Sequence, residues 1–154
     1  MAFLGIRCSN NDYCYVILEG TRVLPKIKNK ANISFPRGFS RAQSLKWFLQ
    51  EIEDLLKKYP SIKVISIKGS EPMASRGKSF TARVENEAMV FLAAANVGIK
   101  AIFKKTKPTI AKDLGLKGRG KYLSTQLDCS VIPNYDDESD KIKEAILVAW
   151  SCTK

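Results

Sequence analysis

Apolar residues recur along this chain with two different periods, and the period changes at identifiable punctuation. Residues 2–8 (AFLGIRC) and 12–19 (DYCYVILE) are β-like apolar runs, and Ser9-Asn10-Asn11 between them favours a turn. The pattern predicts a hairpin. A third strand is placed within 21–35, where Val23, Leu24, Ile27 and Ile33 stand among lysines, and 36–39 (PRGF) breaks it. Ser40 then offers a helix N-cap, and Leu45, Phe48, Leu49, Ile52, Leu55, Leu56 and Tyr59 recur at three- and four-residue steps before Pro60. Residues 62–67 (IKVISI) read as a strand and 69–80 as a Gly/Ser/Pro loop. A second helix is predicted over 82–97, with Val84, Ala88, Phe91, Leu92 and Ala95 on its core face and Gly98 as its stop. A strand at 99–104, a short helix at 108–114 and a last helix at 138–151 follow, the last with Ile142, Ala145, Ile146 and Ala149 turned inward.

The order is β-β-β-α-β-α-β-α: an antiparallel meander, then strands alternating with helices as parallel crossovers require. This predicts a mixed α/β sheet in one domain over 1–154. No apolar run approaches the roughly 20 residues of a membrane helix, and 1–6 is too short for a signal peptide. A soluble, cytoplasmic protein without a membrane partner is the expectation.

Composition narrows the chemistry. The chain has no histidine, which removes the commonest general base and the commonest transition-metal ligand. Cys8, Cys14, Cys129 and Cys152 show neither a CxxC pair nor zinc-ligand spacing, and are read as reduced structural thiols. Any catalysis would use carboxylates with a hard metal, or lysine. The net charge is +11, from 26 Lys and Arg against 15 Asp and Glu. It is unevenly spread. Arg22 to Arg41 carries six basic residues and no acid, and Lys100 to Lys121 carries eight against Asp113 alone. A polyanion, nucleic acid in particular, fits such a distribution; a merely solvated surface is the alternative.

Four segments, in this order, resemble Holliday-junction resolvases of the RuvC type, which have an RNase H-like fold: 4–9 (LGIRCS), 64–68 (VISIK), 107–121 (KPTIAKDLGLKGRGK) and 143–149 (KEAILVA). A family of uncharacterised bacterial proteins has a similar layout. The resemblance implies an RNase H-like mixed sheet, carboxylates from separate elements converging on Mg²⁺, and action as a homodimer. Carried residue by residue, the first-strand acid falls at Arg7, the central-strand acid at Lys68, and the last-helix acid at Glu144, with Lys141 one turn earlier. A cation in place of a ligand opposes a metal by charge as well as removing a bond. The expectation is a degenerate metal site with no catalytic residue and no metal, in which Arg7, Lys68 and Glu144 form an ion-pair plug or an anion site. Glu71, Asp12, Glu85 and Glu87 are the acids that could rebuild a cage; otherwise they are ordinary loop, turn and helix-surface acids.

The loop GLKGRGK supplies Lys117, Arg119 and Lys121 with glycines that let backbone N–H groups approach an anion, yet it lacks the Gly-Lys-Ser/Thr of a Walker loop. With Lys112, Arg76 and Lys78 it forms the candidate nucleic-acid contact; a solvated loop is the alternative. Three functions stay open: a non-catalytic nucleic-acid-binding domain, for DNA or RNA; a nuclease with relocated ligands, which alone would need Mg²⁺; and a protein-interaction module. Asp136 to Asp140 opposite the basic loops could support self-association.

Overall fold

The computed structural model describes residues 1–72, 77–117 and 126–154. Its elements are β1 (Ala2–Cys8), β2 (Asp12–Gly20), β3 (Pro25–Ser34), α1 (Arg41–Lys58), β4 (Ile62–Lys68), α2 (Lys78–Val97), β5 (Ala101–Lys105), α3 (Lys107–Asp113), a 3₁₀ turn (Tyr135–Asp137) and α4 (Asp140–Trp150). Among the described residues the strands form one sheet in the order β3-β2-β1-β4-β5. β1 to β3 pair antiparallel, and β4 and β5 join β1 in parallel. No described helix is long and apolar enough to cross a membrane.

The two-residue period of a strand sends alternate side chains to opposite faces, and here both faces are covered. Leu4, Ile6 and Cys8 of β1 pack with Ile65 and Ile67 of β4 under α1 and α2. Phe3 of β1 and Val16 and Leu18 of β2 pack under α4 and α3. The N-cap predicted at Ser40 is present and is completed as a capping box: its hydroxyl accepts from Gln43 N–H while the Gln43 side chain accepts from Ser40 N–H. Phe48, Ile52 and Leu56 carry the buried stripe of α1, each worth roughly 1.5–3 kcal/mol over exposure. α4 lies so close to β1 that a Cβ on Gly5 would stand 2.1 Å from the Ala145 carbonyl oxygen.

β3 falls within the stretch predicted for it, with Val23 and Leu24 exposed in the preceding turn. Two expectations need correction. α2 begins at Lys78, within the stretch read as loop. Its core face is also not the apolar one: Val84, Phe91 and Leu92 are exposed, while Asn86, Glu87, Val90, Ala93 and Ala94 are buried. The reason is pairing. Asn86 donates to the Ser9 carbonyl and accepts from Arg41, and Glu87 is held by two cations, so both polar groups are satisfied inside.

Candidate nucleic-acid interface

Parallel strands in open α/β sheets present their carboxyl ends to ligands, and cations crowd that edge here. Odd positions of β1 face α4, so Phe3, Gly5 and then Arg7 meet that helix in turn. Arg7 Nε donates to Glu144 Oε2 at 2.9 Å, with 18% and 28% of the two side chains exposed. Its Nη1 donates to the Cys8 carbonyl at 2.8 Å and to Ser9 Oγ at 2.5 Å. On β4, Ser66 donates to the Val148 carbonyl of α4, and Lys68 follows two residues on. Lys68 is 3% exposed, donates to the Gly69 carbonyl at 2.7 Å and pairs with Glu71 at 3.1 Å. The expected three-membered cluster is therefore divided: Arg7 does meet Glu144, but Lys68 has its own acid.

Arg83 extends the Lys68 half and shares a cavity with Arg7. It donates from Nη2 to the Lys68 carbonyl at 2.8 Å and from Nε to Glu87 at 3.4 Å, and Lys104 of β5 takes the other Glu87 oxygen at 2.9 Å. Burial holds the Arg83 guanidinium below its ordinary range, and Arg7 nearby adds to the effect against the opposing pull of Glu87 and Glu144. Burial also pushes the Cys8 thiol well above its ordinary value, with Glu87 adding to the shift; all four cysteines are free thiols.

The acids that could rebuild a metal cage are each engaged. Glu71 holds Lys68 and the Lys107 N–H, Asp12 holds Lys141 at 3.0 Å, and Glu85 holds Arg41 at 3.3 Å. Among the described residues no three His, Cys, Asp or Glu side chains gather as metal ligands. The residues present do not fit Mg²⁺. Each carboxylate would first have to release a lysine or arginine, and the remaining cation would repel the ion at close range.

A groove of about 900 Å³ runs beside this edge between the β2–β3 end and α2. Arg37, Phe39, Arg41, Lys78 and Asp12 contribute to its lining, and Phe39 is exposed. A smaller cavity containing Arg7 and Arg83 adjoins it, with Asn10 and Ser79 common to both. The basic stretch from Arg22 to Arg41 thus divides by location. Arg22 is tied to the carbonyls of Asp113 and Thr153, Lys28 and Lys30 pair with Glu19 and Glu138 along the edge strand, and Arg37 and Arg41 reach the groove.

Of the six basic contact candidates, Lys78 lines the groove. Lys112 and Lys117 are exposed beyond β5 and line neither cavity. Arg76, Arg119 and Lys121 lie outside the described residues. Gly115 serves α3: with φ +83° it allows its own N–H and that of Leu116 to close on the Lys112 and Ala111 carbonyls as a helix stop. The sequence reading missed Arg83, Arg37 and Arg41 as site residues. Arg83 had one signal, its i, i+4 spacing to Glu87, but that spacing is ordinary on helix surfaces.

The sheet order and the helix placement have counterparts among solved structures. RuvC from Thermus thermophilus aligns with a TM-score of 0.73 at 9% identity over 98% of this chain and 92% of that one. The same protein in complex with a Holliday junction substrate gives 0.72 at 8% identity, covering 98% and 91%. The yeast mitochondrial Holliday junction resolvase gives 0.64 at 14% identity, covering 97% and 76%. This is the RNase H-like fold of RuvC-type resolvases. No family model matches the sequence, and no curated protein matches it. At such identities the likeness speaks for the fold alone. The RNase H-like frame nonetheless fixes which strand ends the basic residues occupy.

Proposed function

We propose that this protein is a non-catalytic nucleic-acid-binding domain of RNase H-like fold, acting in the cytoplasm as one domain over 1–154. The observation that carries the reading is the edge where β1, β4 and β5 end. Arg7, Lys68, Arg83, Lys104 and Lys105 stand there, each pairing with an acid, beside a groove lined by Arg37, Arg41 and Lys78. Phosphates are drawn to such an edge, and the positions the resemblance assigns to metal ligands carry cations at Arg7 and Lys68.

Two measurements test the reading together. Binding to duplex and branched DNA and to RNA should fall linearly in log–log form with added salt. Incubation with Mg²⁺ or Mn²⁺ should leave the nucleic acid uncut. Absence of salt-dependent binding refutes the binding half. Replacing Lys117, Arg119 and Lys121 together by Ala should weaken binding if the loop is a contact.

The nuclease reading is favoured by one observation, the fold likeness to proteins named as Holliday-junction resolvases. Cleavage with Mg²⁺ that is lost on Glu144→Gln would establish it. Pairing of two copies belongs to the same proposal, since the resemblance implies it, and a sizing column at low and high salt reads it.

A further inference from the structure

Two guanidiniums converge on one small cavity from different elements. Arg7 arrives from the end of β1 and Arg83 from the second turn of α2, into a cavity of about 350 Å³ that also has Lys141, Ser9, Ser70 and Ser79 in its lining. Among the described residues no carboxylate lines it. The acids that balance these cations bind them from outside the lining: Glu144 on Arg7, the 1% exposed Glu87 on Arg83, and Asp12 on Lys141.

The hydrogen-bond pattern leaves donors over. Arg7 commits Nε and Nη1, and Arg83 commits Nε and Nη2. Arg7 Nη2 and Arg83 Nη1 make no hydrogen bond to a described residue. Among the described residues no buried side-chain nitrogen is left without a partner, and both arginines line the cavity. Serine hydroxyls stand around them. α2 adds its N-terminal partial charge, and Gly77 at its N-cap has no side-chain oxygen to neutralise it.

We infer that this cavity is a phosphate site, taking one tetrahedral phosphate group, esterified or free, between Arg7 and Arg83. Guanidinium forks match phosphate oxygens bidentately, hydroxyls complete the donor set, and a helix N-terminus favours the negative charge. An anion there also relieves the repulsion between Arg7 and Arg83. Because the cavity shares Asn10 and Ser79 with the long groove, a strand lying in the groove would present one backbone phosphate to it. That diester source rests on the nucleic-acid reading; the site itself does not.

The test has two arms. In the first, inorganic phosphate is titrated into the full chain and the melting temperature is compared with chloride at matched ionic strength. Phosphate should raise it and chloride should not, and Arg83→Met should abolish the difference. Ser79→Asp serves as the variant that keeps the fold, because an acid at this position of a helix is favourable; it should abolish the phosphate effect by filling the cavity with like charge. In the second arm, DNA binding is measured against salt for wild type and for both variants. Loss of one phosphate contact lowers the slope of log K against log salt by about 0.9 and weakens binding roughly tenfold. A phosphate effect without any DNA binding supports the site with free phosphate as its source and refutes the nucleic-acid reading. DNA binding with unchanged slopes in both variants, and no phosphate effect, overturns the site and leaves the nucleic-acid reading standing.

Discussion

Removing Glu144 should cost this protein stability in an amount that its surroundings set. The Arg7–Glu144 pair spans 2.9 Å with 18% and 28% of the side chains exposed, between the surface pairs worth about 0–1 kcal/mol and the buried pairs whose rupture costs about 3–5 kcal/mol. Arg7 keeps its bonds to the Cys8 carbonyl and Ser9 Oγ in a Glu144→Ala variant, so its charge is not orphaned and the upper range is not reached. Ala also gains a few tenths of a kcal/mol in helix propensity. The net loss is about 2 kcal/mol, or roughly 4–8 °C in Tm for a chain of this size. Urea unfolding of wild type, Arg7→Met, Glu144→Leu and the double variant gives the coupling directly. It should be about 1 kcal/mol or more, and the double variant should recover much of the loss as an apolar pair between β1 and α4. Coupling under about 0.5 kcal/mol would refute a structural role for the pair. The exposed Lys28–Glu19 pair, cut by Glu19→Gln, should shift Tm far less.

Other outcomes follow from the same geometry. Gly5→Ala should destabilise by about 1–3 kcal/mol or more, because its Cβ meets the Ala145 carbonyl at 2.1 Å and α4 must move; an unchanged Tm would show that α4 does not sit on β1 as described. Stability should decline as pH rises past about 9. Cys8 and Tyr13 have ordinary values of 9.0 and 10.0 and are held protonated by burial in the fold, so above those values only the unfolded chain releases the protons, at up to about 1.4 kcal/mol per pH unit for each group. Denaturation from neutral pH upward measures this, and Cys8→Ala should flatten the first part of the decline. Millimolar Mg²⁺ should raise Tm no more than a matched monovalent salt, whereas a carboxylate cage would give specific stabilisation; a clear Mg²⁺ shift would revive the metal-dependent reading.

Local pattern was enough for most of the frame. The apolar runs in 2–8 and 12–19, the three- and four-residue steps of α1, the capping Ser40 and the stop at Gly98 are properties of neighbours in sequence; β1, β2 and α1 formed where they indicated, and α2 ended there. The order of those elements then left few topologies, and the residues flanking Arg7, Lys68 and Glu144 resembled a known frame. Which face of α2 turned inward was not legible. Its apolar stripe through Phe91 and Leu92 stays outside because Asn86 and Glu87 find partners at Ser9, Arg41 and Lys104, far away in the chain, besides the neighbouring Arg83. The same holds for the site. The resemblance implied that cations stand at two expected acid positions. Lys68 takes Glu71 three residues on, but only the packing of α4 and α2 decided that Asp12 and Glu85 are already bound and that Arg7 and Arg83 line one cavity. Charge pairing depends on distance in space, and that distance is created by the fold.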